Sequence, residues 1–95
     1  MTRYISLLSF ATRGIEEVAK SPKRAADFRQ EVEKFGGKVI AQYWCMGSCD
    51  GVVIFEAPDE VTATSLLLKL DQLGNVKTQT LRAYDEAEFQ AILQR

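Results

Sequence analysis

Three clusters of turn-forming residues divide this chain: Gly36-Gly37, the stretch from Gly47 to Gly51, and Gly74-Asn75. Between them the apolar residues switch between strand-like alternation and helix-like spacing, and that punctuation leaves few topologies open. Tyr4–Phe10 is rich in strand formers, and Ile15–Lys20 reads as a short helical turn. Ser21-Pro22 supplies a hydroxyl cap and a proline suited to a first helical turn. Ala25, Phe28, Val32 and Phe35 then fall on one helix stripe. Lys38–Met46 and Gly51–Ala57 read as two strands of a hairpin around a turn-rich linker. Pro58-Asp59 opens a second helix, with Ala63, Leu66, Leu67, Leu70 and Leu73 on its buried side. Val76–Tyr84 makes a fourth strand, and Asp85–Arg95 a closing helix with Phe89, Ile92 and Leu93 on its apolar side.

The order β-α-β-β-α-β plus a helical tail is the split βαβ pattern, which predicts an α+β, ferredoxin-like antiparallel sheet in one domain over residues 1–95. Right-handed crossovers place the third strand between the first and second, and the fourth outside the first. Both helices then share one sheet face. Alternation suggests Ile5, Leu7, Val39, Ala41, Tyr43, Val53, Phe55, Leu81 and Ala83 beneath them. It sends Tyr4, Ser6, Leu8, Phe10, Ile40, Gln42, Trp44, Met46, Val52, Ile54, Glu56, Thr78, Thr80 and Arg82 to the opposite face. That second face is too apolar for open water. Covering an assumed several hundred Å² of it yields a gross gain on the order of 10 kcal/mol, before association costs. The closing helix is too short to serve as the lid alone, so a second copy of the chain is the expected cover, in a sheet-face homodimer or a higher homo-oligomer. A trimer joined through sheet edges is the alternative arrangement.

Several function classes fall away on composition. The chain is 46% hydrophobic and 26% charged, in the globular range, with a net charge of -1. Nucleic-acid binding needs a basic excess for phosphate neutralisation, and here the charges nearly cancel. RNA-recognition domains with this topology carry stacked aromatics on the third strand, where this chain has Asp50-Gly51-Val52-Val53-Ile54-Phe55. No apolar run approaches membrane-spanning length and no targeting signal opens the sequence, so a cytoplasmic location is expected.

There is no histidine, which removes the commonest general base and the Ser-His and Cys-His nucleophile pairs. Cys45 and Cys49 lack further cysteine or histidine ligands for a zinc site, so neither metal nor cofactor is expected. As a pair flanking one turn they suggest redox chemistry only weakly, and a packing role is the plainer reading. Asp50 sits in the hairpin turn, where aspartate usually bonds its own backbone. Gly36-Gly37 stops a helix and is not a phosphate loop, since no glycine-rich turn precedes a helix opening with Lys-Ser/Thr.

The segments Met1–Phe10, Ser21-Pro22-Lys23-Arg24, Gly36-Gly37-Lys38-Val39, Gln42-Tyr43-Trp44, Met46-Gly47, Asp50–Asp59 and Leu73-Gly74-Asn75-Val76 together resemble the GYD family of small bacterial and archaeal proteins. The resemblance runs along essentially the whole chain. It departs at the motif that names the family, Gly-x-Tyr-Asp, which here is Gly47-Ser48-Cys49-Asp50, so a role for the tyrosine phenol does not carry over. The resemblance implies a fold akin to dimeric α+β barrels and no particular activity. Related barrels include cofactor-free monooxygenases, isomerases and ligand binders, an analogy of fold alone.

Two functional readings follow. In the first, the chain binds a small molecule or acts as a cofactor-independent enzyme, with a pocket between sheet face and partner. Tyr4, Ser6, Trp44, Asp50 and Arg82 are its candidate contacts: rings as walls, Arg82 for an anion, Asp50 at the mouth. The plainer reading of that face's polar residues, Ser6, Gln42, Glu56, Thr80 and Arg82, is as rim groups paired with one another or with water. In the second, the chain is a non-catalytic assembly module whose sheet face only associates.

Overall fold

A computed structural model describes residues Met1–Arg95. Its elements are β1 (Thr2–Phe10), α1 (Thr12–Glu16), a 3₁₀ turn (Val18–Lys20), α2 (Ser21–Lys34), β2 (Lys38–Trp44), β3 (Gly51–Ala57), α3 (Glu60–Gln72), β4 (Val76–Ala83) and α4 (Glu86–Leu93). The four strands form one antiparallel sheet in the order β2-β3-β1-β4, the ferredoxin-like arrangement. No helix is long and apolar enough to cross a membrane.

The helix boundaries have local causes. At the α2 terminus the backbone turns left-handed at Gly36, with φ 88°, a conformation glycine adopts without steric cost. Asp59 caps α3 by accepting from the Thr62 backbone N–H at 2.8 Å. Asp85 and Glu88 form a reciprocal capping box at the start of α4. Ser21 departs from its expected role: it caps nothing, and its hydroxyl instead accepts from the Trp44 indole N–H at 2.8 Å.

The core lies between the sheet and the α2/α3 layer. Phe55 and Val53 are fully buried at its centre. The Phe55 ring stacks on Tyr4 at 5.4 Å and meets Phe28 edge-on at 5.7 Å. Helix α2 contributes Ala25, Phe28 and Val32, and α3 contributes Ala63 and Leu66. Each large side chain sealed there stabilises the fold by about 1.5–3 kcal/mol.

The register corrects much of the expected face assignment. Tyr4 pairs with Phe55, Ser6 with Val53 and Leu8 with Gly51, so these β1 residues lie under the helices. On β4, Thr78, Thr80 and Arg82 pair with Leu8, Ser6 and Tyr4 and share that side. On β2 a bulge between Val39 and Ala41 displaces Ile40 and reverses the alternation, so Gln42 and Trp44 face the helices while Ala41 and Tyr43 face away. Only β3 and Val39 keep the assignment drawn from alternation. The cause is that β1 is apolar at both parities, so periodicity could not choose between its faces.

The opposite face is therefore built from Ile5, Leu7, Ala41, Tyr43, Val52, Ile54, Leu81 and Ala83. It remains largely apolar, with a different cast. No α-helix covers it. Arg3 on that face pairs with Glu56 at 3.1 Å and with Glu88 at 3.0 Å, tethering the start of α4 to the sheet. Beyond that tether α4 buries no residue. The Cα radius of gyration is 14.0 Å, against roughly 12 Å for a compact chain of this length. The long dimension reaches 48 Å.

Candidate functional site

Two regions stand out, on opposite sides of the sheet. On the helix side, where β1 and β3 meet the hairpin loop, a chamber of about 60 Å³ opens between the sheet, α2 and α3. Apolar side chains including Phe10, Phe28, Val53 and Leu70 line it, joined by Gln42, Trp44, Asp50, Arg24 and Asn75. It shares Arg24, Phe28, Leu70, Leu73 and Asn75 with a larger groove of about 380 Å³ between α2 and α3.

Local structure fixes the chamber's polar groups. The Asp50 carboxylate accepts from the Phe10 backbone N–H at 2.8 Å, and the Asp50 backbone N–H donates to the Leu8 carbonyl at 2.8 Å. Asp50 thereby binds the hairpin loop to the end of β1, a long-range tie in place of the bond to its own turn backbone expected of a turn aspartate. Arg24 donates to the backbone carbonyls of Glu17 and Gly14 at 3.2 and 3.3 Å, which stitches α1 to α2. Gly14 approaches the Asn75 carbonyl so closely that a Cβ would lie 1.9 Å from its oxygen. The Gln42 Oε1 atom is buried and has no hydrogen-bond partner.

The five residues singled out in the sequence separate into three places. Trp44 and Asp50 meet at the chamber. Ser6 is sealed in the core with its hydroxyl 2.9 Å from that of Thr80. Tyr4 and Arg82 lie further along, four residues from Leu8 on β1, roughly 13 Å at strand rise. The Arg82 guanidinium sits 4.3 Å over the Tyr84 ring and 5.8 Å from the Tyr4 centroid. It donates to the carbonyls of Arg3 and Ala83. None of the five lies on the open sheet face. Gln42, Arg24 and Asn75 were not among them. A glutamine inside a strand is the signal that marks Gln42, whereas Arg24 reads in sequence as a solvated helix residue.

The cysteines offer little chemistry. Both are half-buried free thiols, and the Cys45 pKa is pushed above its usual value by burial first and then by the neighbouring Cys49. A raised thiol pKa means less thiolate, the reactive species. No group of three or more His, Cys, Asp or Glu side chains is placed to hold a metal ion.

The second region is the open sheet face and the projecting α4. Tyr43 is 62% exposed, Leu81 49% and Ile54 half-buried. On α4, Phe89, Ile92 and Leu93 all stand in solvent. Exposed apolar side chains of this kind mark interaction sites where they cluster.

A four-stranded antiparallel sheet with two crossover helices on one side defines a ferredoxin-like α+β protein whose candidate surfaces are a small interior chamber and an uncovered sheet. Residues 4–93 match the GYD domain, and the chain belongs to that family. It is 38% identical over 94 residues to a Thermus thermophilus protein named glutamine synthetase and cystathionine beta-lyase binding protein, a match spanning 98% of this chain and 99% of that relative.

Proposed function

We propose that this protein is a non-catalytic binding module that self-associates through its open sheet face and, once assembled, docks onto enzymes of amino-acid metabolism. The uncovered face carries the first part of this reading. Four strands about 4.8 Å apart and about seven residues long at ~3.3 Å each project roughly 440 Å². Side-chain relief and the apolar side of α4 raise the accessible area toward the ~800 Å² per partner that stable interfaces bury. A second copy presents the same surface and satisfies it symmetrically. The second part is supported by the Thermus relative, whose name records binding to glutamine synthetase and cystathionine beta-lyase.

The test is surface-immobilised protein exposed to purified glutamine synthetase and cystathionine beta-lyase. Saturable binding of either enzyme, weakened by Ile54→Asp, is the expected result. Absence of binding to both would remove the docking role. Light scattering on the free protein separately tests self-association.

A further inference from the structure

The chamber on the helix side is a different surface from the open sheet face that carries self-association, and the two could be occupied at once. We infer that the chamber and the α2/α3 groove together bind a small, neutral, largely apolar molecule that presents one hydroxyl, of the phenol or alcohol class, with the hydroxyl donated to Gln42 Oε1.

The polar groups define the head of that ligand. Gln42 Oε1 is an acceptor, is buried and lacks a donor. Of its polar neighbours on the chamber wall, Trp44, Arg24 and Asp50 are committed elsewhere, and the Asn75 side chain, which makes no hydrogen bond, does not reach Gln42 Oε1. The Trp44 indole N–H goes to Ser21, Arg24 donates to two backbone carbonyls, and Asp50 accepts from Phe10. The unmet requirement at Gln42 is a hydrogen-bond donor supplied from outside. Neither sign of charge is favoured, because Arg24 and Lys69 are balanced by Asp27, Glu31 and Asp50 along the chamber and groove.

Size and lining define the body. The inner space of about 60 Å³ is well below the roughly 150 Å³ of a cavity that holds benzene. It accommodates a hydroxyl and its first carbon atoms. The groove of about 380 Å³ that continues from it has room for a ring or short chain. Phe28, Leu70 and Leu73 supply its apolar walls. A ligand entering head first would set its hydroxyl against Gln42 and its body between the helices.

Water could also donate to Gln42, so the experiment must separate solvent from an organic ligand. The probes are phenol and its methyl ether anisole, which share a ring but differ in the donor. Each is titrated to about 10 mM, a range that captures weak fragment binding, while nitrogen–proton NMR follows the Gln42 side-chain amide and the Trp44 indole. Phenol should give saturable shifts at both groups, and anisole should bind at least about tenfold more weakly, as expected where a site is built to pair a hydroxyl. In Gln42→Leu the difference between the probes should vanish while the Trp44 response persists. No saturable shift with phenol would mean that the chamber holds solvent alone, and would overturn the inference. Equal affinity for both probes, or discrimination surviving in Gln42→Leu, would overturn it too. The phenol-to-anisole ratio in the unaltered protein decides the matter even if the variant fails to fold.

Discussion

Gln42→Leu should make the ligand-free protein more stable. The Oε1 atom has been taken out of water without a replacement donor, a situation that costs about 1–3 kcal/mol. Leucine is of similar size, brings no polar atom, and stands opposite the fully buried Val53. Allowing for imperfect packing of the new branch, the net gain should be about 1–2 kcal/mol. In a domain of this length each kcal/mol moves the melting temperature by about 4–8 °C. A rise of about 4–16 °C follows, with a matching shift in urea midpoint at unchanged slope. Ser6→Ala is the control of opposite sign. Its hydroxyl is equally buried but paired with Thr80 at 2.9 Å, and losing that bond should cost about 1 kcal/mol. If Gln42→Leu melts at or below the temperature of the unaltered protein, the amide already has a partner and the reasoning fails.

Other perturbations test other parts of the structure. Ile54→Asp sits on the open face and should leave the circular dichroism intact, yet weaken self-association at least about 100-fold, since two copies each forfeit at least ~1.5 kcal/mol of apolar burial; unchanged association would clear that face of any role. Leu81→Asp on the edge strand should act in the same direction. Gly14→Ala forces a Cβ to within 1.9 Å of the Asn75 carbonyl oxygen, so the urea midpoint should fall by the equivalent of about 1–3 kcal/mol, and an unaltered midpoint would show that the α1 contact with the β4 loop yields freely. Asp59 is held below its ordinary pKa of 3.8 by the Thr62 backbone N–H. Its contribution to stability is therefore present above that value and lost as pH falls through the lower folded value. Asp59→Ala should melt below the unaltered protein at pH 7, with the gap closing on acidification below about pH 4; a gap constant with pH would contradict the cap.

The topology was legible because glycine and proline punctuation, together with helix spacing, constrains element order strongly. Gly36, Asp59 and Asp85 all stand where a boundary was expected. Which side of the sheet each residue faces was harder to read. In β1, Tyr4, Leu8 and Phe10 alternate with Ile5 and Leu7, so both parities look buried, and pairing with Phe55 and Val53 makes the choice. In β2 one bulged residue at Ile40 inverts everything downstream, and alternation alone carries no mark of a bulge. Those reversals scattered the expected site. Trp44 and Asp50 lie together because the hairpin brings both to the chamber, while Tyr4, Ser6 and Arg82 belong to the core and its far end. A glutamine inside a strand marks Gln42 in the sequence, but its missing partner is a property of three-dimensional surroundings. The apolar character of the uncovered face persisted through these changes because Ile5, Leu7, Tyr43 and Leu81 replace Tyr4, Leu8, Trp44 and Phe10 with little change in polarity.

Sedimentation equilibrium of the unmodified protein, between about 1 and 100 μM where protein interfaces of this class are populated, tests the role of the open face most directly. Self-association through the sheet requires a mass of at least two chains across that range, falling toward one chain in Ile54→Asp. A single-chain mass at every concentration would show that water tolerates the face as it stands, and that no second copy is needed to cover it.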